Sequence, residues 1–157
     1  MKETKWLGII LLLICILQSC TRQEKVLDSL GSYESEAFYT SGGIQDFTDY
    51  AKYQYKSVDL QNNKYFSVIN DNDIKKLNQY IDNFQSWVTA IENSDPTNEL
   101  VMNYDFDCSA IDTSDYYYIY DKMGKPIGES VYEQFDCYDV YFFDSQTNIL
   151  YYFHNNI

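Results

Sequence analysis

The clearest pattern of hydrophobic positions along the chain predicts one long amphipathic helix. Apolar residues recur at spacings of three and four from Ile74 to Ile91, which places them on one continuous helical face. These positions are Ile74, Leu77, Ile81, Phe84, Val88 and Ile91. Residues 70–73 offer side-chain oxygens that can cap the helix, and Pro96 disfavours helix for the residue before it. The pattern therefore indicates a helix that is capped within residues 70–73, is ended by residues 93–96 and packs on a sheet.

Beyond Pro96 the hydrophobic period changes from about 3.6 to two, which indicates strands with one apolar and one polar face. The predicted strands are 100–108, 116–120, 127–135, 138–143 and 149–153. Turn-forming residues occupy 122–126, and 144–148 has the composition of a hairpin loop. This half of the chain thus predicts an antiparallel meander.

Upstream of the long helix the pattern is mixed. Apolar side chains between Ile44 and Tyr55 are spaced three, four and four apart, which favours a short helix through about Lys56, although a strand fits the tyrosines equally well. Residues 64–69 suit a short strand or the approach to the next helix. The sequence therefore predicts an α+β domain over 44–157, with N-terminal helices packed on a four- or five-stranded antiparallel β-meander.

The first twenty residues form a separate unit. Lys2 and Lys5 precede twelve mostly apolar residues, Trp6 to Leu17, a run too short to span a membrane because a spanning helix needs about 20 residues. The run ends in Leu-Gln-Ser-Cys at positions 17–20. The segment resembles a bacterial lipoprotein signal peptide with a lipobox.

That resemblance implies a signal peptide over 1–19 and a lipid on the thiol of Cys20. Residues 20–43, which are polar and contain Ser and Gly, would then be a flexible tether. The expected location is the extracytoplasmic face of the cell membrane, held by the lipid anchor. The alternative is an ordinary secretory signal in which the cysteine stands by chance.

Three segments of the remaining chain are similar to parts of uncharacterised lipoproteins from low-GC Gram-positive bacteria. They lie at 41–50, 82–87 and 138–144. The similarity implies the same cellular setting and supplies neither an activity nor site residues.

The charge of the chain excludes one class of partner. Cleavage after residue 19 would change the net charge from −13 to −14, since two lysines and one glutamate are lost. Nucleic-acid binding needs a basic surface, so it is excluded, and anionic lipid headgroups would repel the domain. A cationic protein is the partner that this charge favours, and solubility alone is the plainer interpretation.

The four cysteines have different expected fates. Cys15 lies in the signal and Cys20 carries the lipid, which leaves Cys108 and Cys137 as a pair in an exported domain. A disulfide between them would stabilise the fold by about 3.6 kcal/mol through loop closure. The alternative is two free buried thiols. A catalytic cysteine is disfavoured because the one histidine, His154, has no recognisable motif around it.

Tyrosines supply the candidate binding surface. In a strand over 116–120, Tyr116, Tyr118 and Tyr120 share one face and Tyr117 lies on the other. Tyrosine gives a large contact area at a small entropic cost, which suits a binding surface. The alternative is that these rings belong to the core.

The acidic residues give no metal-binding pattern. Asn103, Asp105 and Asp107 would share one strand face, with Asp112 and Asp115 in the loop that follows, and such oxygen ligands suit calcium. The chain has no EF-hand motif, so a solvated strand face is the preferred interpretation. We expect neither a metal nor a cofactor.

These observations favour a membrane-anchored, surface-exposed lipoprotein with a non-enzymatic binding or protective role. One concrete form is an inhibitor or immunity protein directed at a cationic exported protein. The alternatives are a hydrolase of envelope polymers that uses paired carboxylates, and a structural or transport-accessory lipoprotein.

Overall fold

The structure is a computed structural model that describes residues 22–43, 46–122 and 137–156. Its helices are α1 over 22–28, α2 over Asp71–Ser94 and α3 over Glu99–Asn103, with a 3-10 helix at Cys108–Ala110. Its strands are β1 Ser35–Gly42, β2 Phe47–Gln54, β3 Ser67–Val68, β4 Tyr116–Asp121, β5 Cys137–Asp144 and β6 Ile149–Asn156. The predicted strand at 127–135 lies outside the described residues.

The six described strands form one antiparallel sheet in the order β1-β2-β6-β5-β4-β3. The α+β class is therefore confirmed. The prediction of four or five strands in a meander is wrong, because β6 inserts between β2 and β5. The helices are not confined to the N-terminal side either, since β1, β2 and β3 all precede α2.

Helix α2 agrees with its prediction. The Asn70 side chain accepts hydrogen bonds from the backbone N–H groups of Asn72 and Asp73, and the Asp73 carboxylate accepts from the Asn70 N–H. This reciprocal pair satisfies N–H groups that a helix start leaves free. The inner face buries Leu77, Tyr80, Ile81, Phe84 and Val88.

Both faces of the sheet are covered. On one face, α2 and α3 pack against alternate residues of the central strands, among them Tyr50, Phe142 and Phe153. On the other face, α1 and the segment 55–66 cover a second aromatic cluster that contains Tyr141. Burial on both faces explains why β5 is buried along its whole length and lacks the alternation of a half-exposed strand.

The same double burial explains two corrections in the N-terminal half. The segment favoured as a helix up to about Lys56 is strand β2, whose Tyr50 faces α2 while Tyr53 faces α1. The tether prediction is wrong for 22–43, because α1 buries Val26 fully and β1 pairs with the whole of β2. Small and polar residues such as Ser and Thr suit an edge strand as well as they suit a linker.

The predicted strand at 100–108 is also wrong. Asn98 caps the short helix α3, and its side chain accepts a hydrogen bond from the Leu100 N–H. Leu100 is buried and Tyr104 packs on the same core, a spacing of four that fits a helical turn as well as an alternating strand. The strands predicted at 116–120, 138–143 and 149–153 are confirmed as β4, β5 and β6.

Candidate functional site

Three ionisable side chains form a continuous row across the middle of the sheet. His154 on β6 lies directly opposite Asp49 on β2 and directly opposite Asp139 on β5. All three are buried on the face that α1 covers. We call Asp49, His154 and Asp139 the acid–histidine row. Thr40 on β1 and Tyr120 on β4 extend the same register to either side.

The histidine is held by one carboxylate. His154 Nδ1 lies 2.6 Å from Asp139 Oδ1, and the Tyr152 hydroxyl donates to the same oxygen at 2.8 Å. This contact places a hydrogen on Nδ1, so in the neutral ring Nε2 keeps the lone pair. Nε2 is buried, and no atom of the described residues is its hydrogen-bond partner. The arrangement orients the imidazole, and the Phe47 ring packs against it with the two ring centres 4.9 Å apart.

Asp49 is in a different environment. Burial raises the pKa of its carboxyl, while a hydrogen bond with the Thr40 side chain and the nearby His154 act in the opposite direction. A raised pKa means that the folded state holds this proton more tightly than the unfolded chain does. Ionisation of Asp49 as the pH rises therefore reduces the stability of the fold.

The predicted disulfide is not formed. Cys108 and Cys137 are both free thiols. Cys108 packs against the core under α2, whereas Cys137 shares its strand face with Asp139 and donates to Asn156 Oδ1 at 3.0 Å. Because alternate residues of a strand point to opposite faces, the sheet separates the two sulfur atoms. The burial that raises the pKa of the Cys108 thiol also makes that thiol less reactive.

We expect two alkylatable thiols at Cys108 and Cys137 in unreduced protein. Unfolding in denaturant with iodoacetamide, followed by peptide mass spectrometry, should show both residues carbamidomethylated without any reductant. A matched sample that is reduced before alkylation sets the maximum. Peptides labelled only after reduction would show that the two residues are bonded.

The tyrosines proposed as a binding surface share one face of β4 but are half-buried. Tyr116 and Tyr118 pack against the cluster under α1, and the Tyr118 ring stacks on Tyr141 with their centres 5.7 Å apart. The Arg22 guanidinium lies 3.2 Å above the centre of the Tyr120 ring. The apolar area of Tyr116 and Tyr118 thus contributes to the core, and the Arg22 guanidinium covers one face of the Tyr120 ring.

Of the predicted strand face, Asn103 ends α3, and Asp105 and Asp107 lie in the loop that follows. Asp105 accepts a hydrogen bond from the Tyr50 hydroxyl at 2.8 Å and pairs with Lys52 Nζ at 2.6 Å, so it ties this loop to β2. Asp115 accepts from the backbone N–H of Ser145 at 3.0 Å. Among the described residues, no group of three or more His, Cys, Asp or Glu side chains could hold a metal ion.

An acidic surface accompanies the first hairpin. Between residues 26 and 51 the sequence contains five acidic residues and no lysine or arginine. Glu34, Glu36 and Asp46 are exposed there. The other notable surface feature is a shallow cavity of about 290 Å³ between β1 and the Lys52–Asp105 pair. The accessible chemistry of this region is therefore anionic.

None of the known protein-family models matches the chain. No curated protein is similar to it, and no solved structure matches it. In the described ranges, none of the helices combines the length and the hydropathy that a membrane span needs.

Proposed function

We propose that this chain is a membrane-anchored lipoprotein of the extracytoplasmic face that acts by binding a cationic partner. The observation that carries the proposal is the exposure of Glu34, Glu36 and Asp46 in and beside the first hairpin, whose one basic residue, Lys52, is paired with Asp105. The lipobox resemblance around Cys20 supports the anchor.

Packing supports binding over catalysis. Aromatic side chains fill the space on both faces of the sheet, so the domain acts as a scaffold whose chemistry lies at its surface. The acid–histidine row is enclosed among them, with His154 at 4% exposure. Complementary charge raises the rate at which partners meet and selects against anionic ones.

Association kinetics test the binding proposal. A peptide that alternates Lys and Thr should associate with the purified protein, and its rate should fall as salt is raised from 0.1 to 1 M. The reason is that the screening length shrinks from about 10 Å to about 3 Å over this range. The control peptide replaces every Lys with Glu and should not bind. A rate that does not change with salt would contradict the proposal.

The anchor has its own test. Cells that express the wild-type chain with an alkyne palmitate analogue should incorporate the label, and the Cys20→Ser variant should remain unlabelled. The variant should also accumulate as an uncleaved precursor or leave the membrane fraction, since the thiol is the site of lipid attachment. Cys15→Ser is the matched control and should label normally. Wild-type protein without label would refute the lipid anchor.

A further inference from the structure

Strand β1 is a long open edge of the sheet. It is the terminal strand in the sheet order, and the described residues place no strand beyond it. All eight of its residues pair with β2 in one uninterrupted register from Ser35↔Gln54 to Gly42↔Phe47. One side of the β1 backbone is therefore paired with β2 along its whole length. The other side has no strand partner in the described part of the chain.

The register shows which backbone groups point outward. At the hairpin end, the Gly43 N–H donates to the Asp46 carbonyl. Hydrogen-bonded residue pairs alternate with non-bonded ones along an antiparallel pair of strands, so residues 35, 37, 39 and 41 also exchange backbone hydrogen bonds with β2. The N–H and C=O groups of the alternate residues point away from β2. These residues are Glu36, Phe38, Thr40 and Gly42.

This edge lacks several of the features that usually block strand addition. Natural edge strands carry lysine, proline or bulges, or are kept very short. Strand β1 contains no lysine or proline and pairs without a bulge, whereas β3 at the opposite edge has only two residues. Among the described strands, β1 is therefore the longer of the two that end the sheet, while at the opposite edge β3 pairs with only Tyr116 and Tyr117 of β4.

The side chains beside this edge combine exposed aromatic rings with acidic groups. Phe38 is 43% exposed and Tyr33 is 40% exposed, although large apolar side chains are normally buried. The Tyr33 hydroxyl donates to the Glu36 carboxylate at 2.9 Å, and Glu34 is exposed next to them. An incoming strand would meet hydrophobic contacts and negative charge on the same side.

We propose that β1 binds an extended, lysine- or arginine-rich segment of the partner protein by strand addition. This inference rests on the proposed function and adds the contact surface and the form of the partner. Main-chain hydrogen bonds to residues 36–42 provide affinity, and Glu34 and Glu36 select basic side chains. A second copy of this chain is a poor occupant because it brings the same excess of acids to the edge.

The decisive experiment alters the probe and leaves the protein intact. The alternating Lys–Thr peptide is compared with the same peptide carrying N-methyl groups on every backbone nitrogen, which keeps the charge and removes the donors. We expect at least about tenfold weaker binding of the methylated peptide, since several main-chain hydrogen bonds are lost together. Equal affinity of the two peptides would overturn strand addition and leave charge-driven binding standing. Failure of both peptides to bind would refute the proposed function itself.

A pair of protein variants locates the contact. Thr40→Pro removes an outward N–H, a substitution that edge strands tolerate, while Thr40→Ala loses the same hydroxyl and keeps the N–H. The proline variant should bind the unmethylated peptide at least about fivefold more weakly than the alanine variant, with circular dichroism confirming that both are folded. Equal binding by two folded variants would exclude this edge. A wild-type dimer in ultracentrifugation that Thr40→Pro dissociates would make a second copy the occupant and overturn the proposal.

Discussion

Replacing Phe84 with alanine is expected to lower the free energy of unfolding by about 3–5 kcal/mol, the usual effect of removing a buried phenylalanine ring. Phe84 is fully buried on the inner face of α2. Its ring contacts Tyr104 with centres 5.6 Å apart and Phe153 with centres 5.3 Å apart. The truncation would therefore leave a cavity where α2, α3 and the sheet meet. Urea unfolding followed by circular dichroism measures the change.

The matched control is Trp87→Ala on the same helix. Trp87 is 36% exposed, so its removal deletes an aromatic ring of larger size without opening an enclosed cavity. We expect this variant to lose less than half as much stability as Phe84→Ala. Equal losses would mean that the enclosed position of Phe84 adds no more stability than the partly exposed position of Trp87.

The position of α2 could be predicted because all its signals are local. Its apolar spacing, its Asn70 cap and Pro96 lie within one stretch of sequence and agree with one another. The hairpin of β5 and β6 was predictable for the same reason, since its two strands flank a loop of turn-forming residues. Asn148 in that loop adopts a positive φ of 57°, which asparagine tolerates better than most residues.

Strands β1 and β2 could not be recognised because their environment is made by distant parts of the chain. Strand β2 is buried on one face by α2 and on the other by α1, so it lacks the alternation of a half-exposed strand. The spacing from Phe47 to Ala51 to Tyr55 then fits a helix by coincidence. Pairing of β2 with β6 joins residues about a hundred positions apart, and no local pattern indicates it.

Of the two contacts in the acid–histidine row, the one between Asp139 and His154 could have been predicted from the sequence. Once 144–148 is read as a hairpin loop, the pairing that joins Asp144 to Ile149 also brings Asp139 opposite His154. The position of Asp49 opposite His154 could not be predicted from the sequence, because it depends on the insertion of β6 between β2 and β5.

The disulfide prediction was wrong because the two cysteines lie on opposite faces of the sheet. The alternation of side chains along the strand at 138–143 bears on the face to which Cys137 points. Exported cysteines often pair, but compartment and loop length say nothing about the direction of a side chain. With 138–143 taken as a strand, Cys137 and Tyr138 must point to opposite faces. Cys108 lies in no strand at all, and its burial under α2 places it on the face that Tyr138 shares.

The second large expected effect concerns Asp139. We expect Asp139→Ala to lower the free energy of unfolding by about 2–6 kcal/mol, since each buried donor left without an acceptor costs about 1–3 kcal/mol. The carboxylate serves both His154 Nδ1 and the Tyr152 hydroxyl, and both of these partners are buried. Its loss would leave two donors in the interior without an acceptor. Urea unfolding at neutral pH measures the change.

A double-mutant cycle separates this pairing from the loss of volume. His154→Ala removes the second partner, so if the pair is coupled the double variant should be more stable than the sum of the two single losses predicts, by about 1–3 kcal/mol. Tyr152→Phe keeps the ring and removes only the hydroxyl, and should lower stability by about 1 kcal/mol. Additive losses in the cycle would show that Asp139 and His154 contribute independently. The row would then be a coincidence of register, because a carboxylate that holds the imidazole must lose part of its effect once the imidazole is gone.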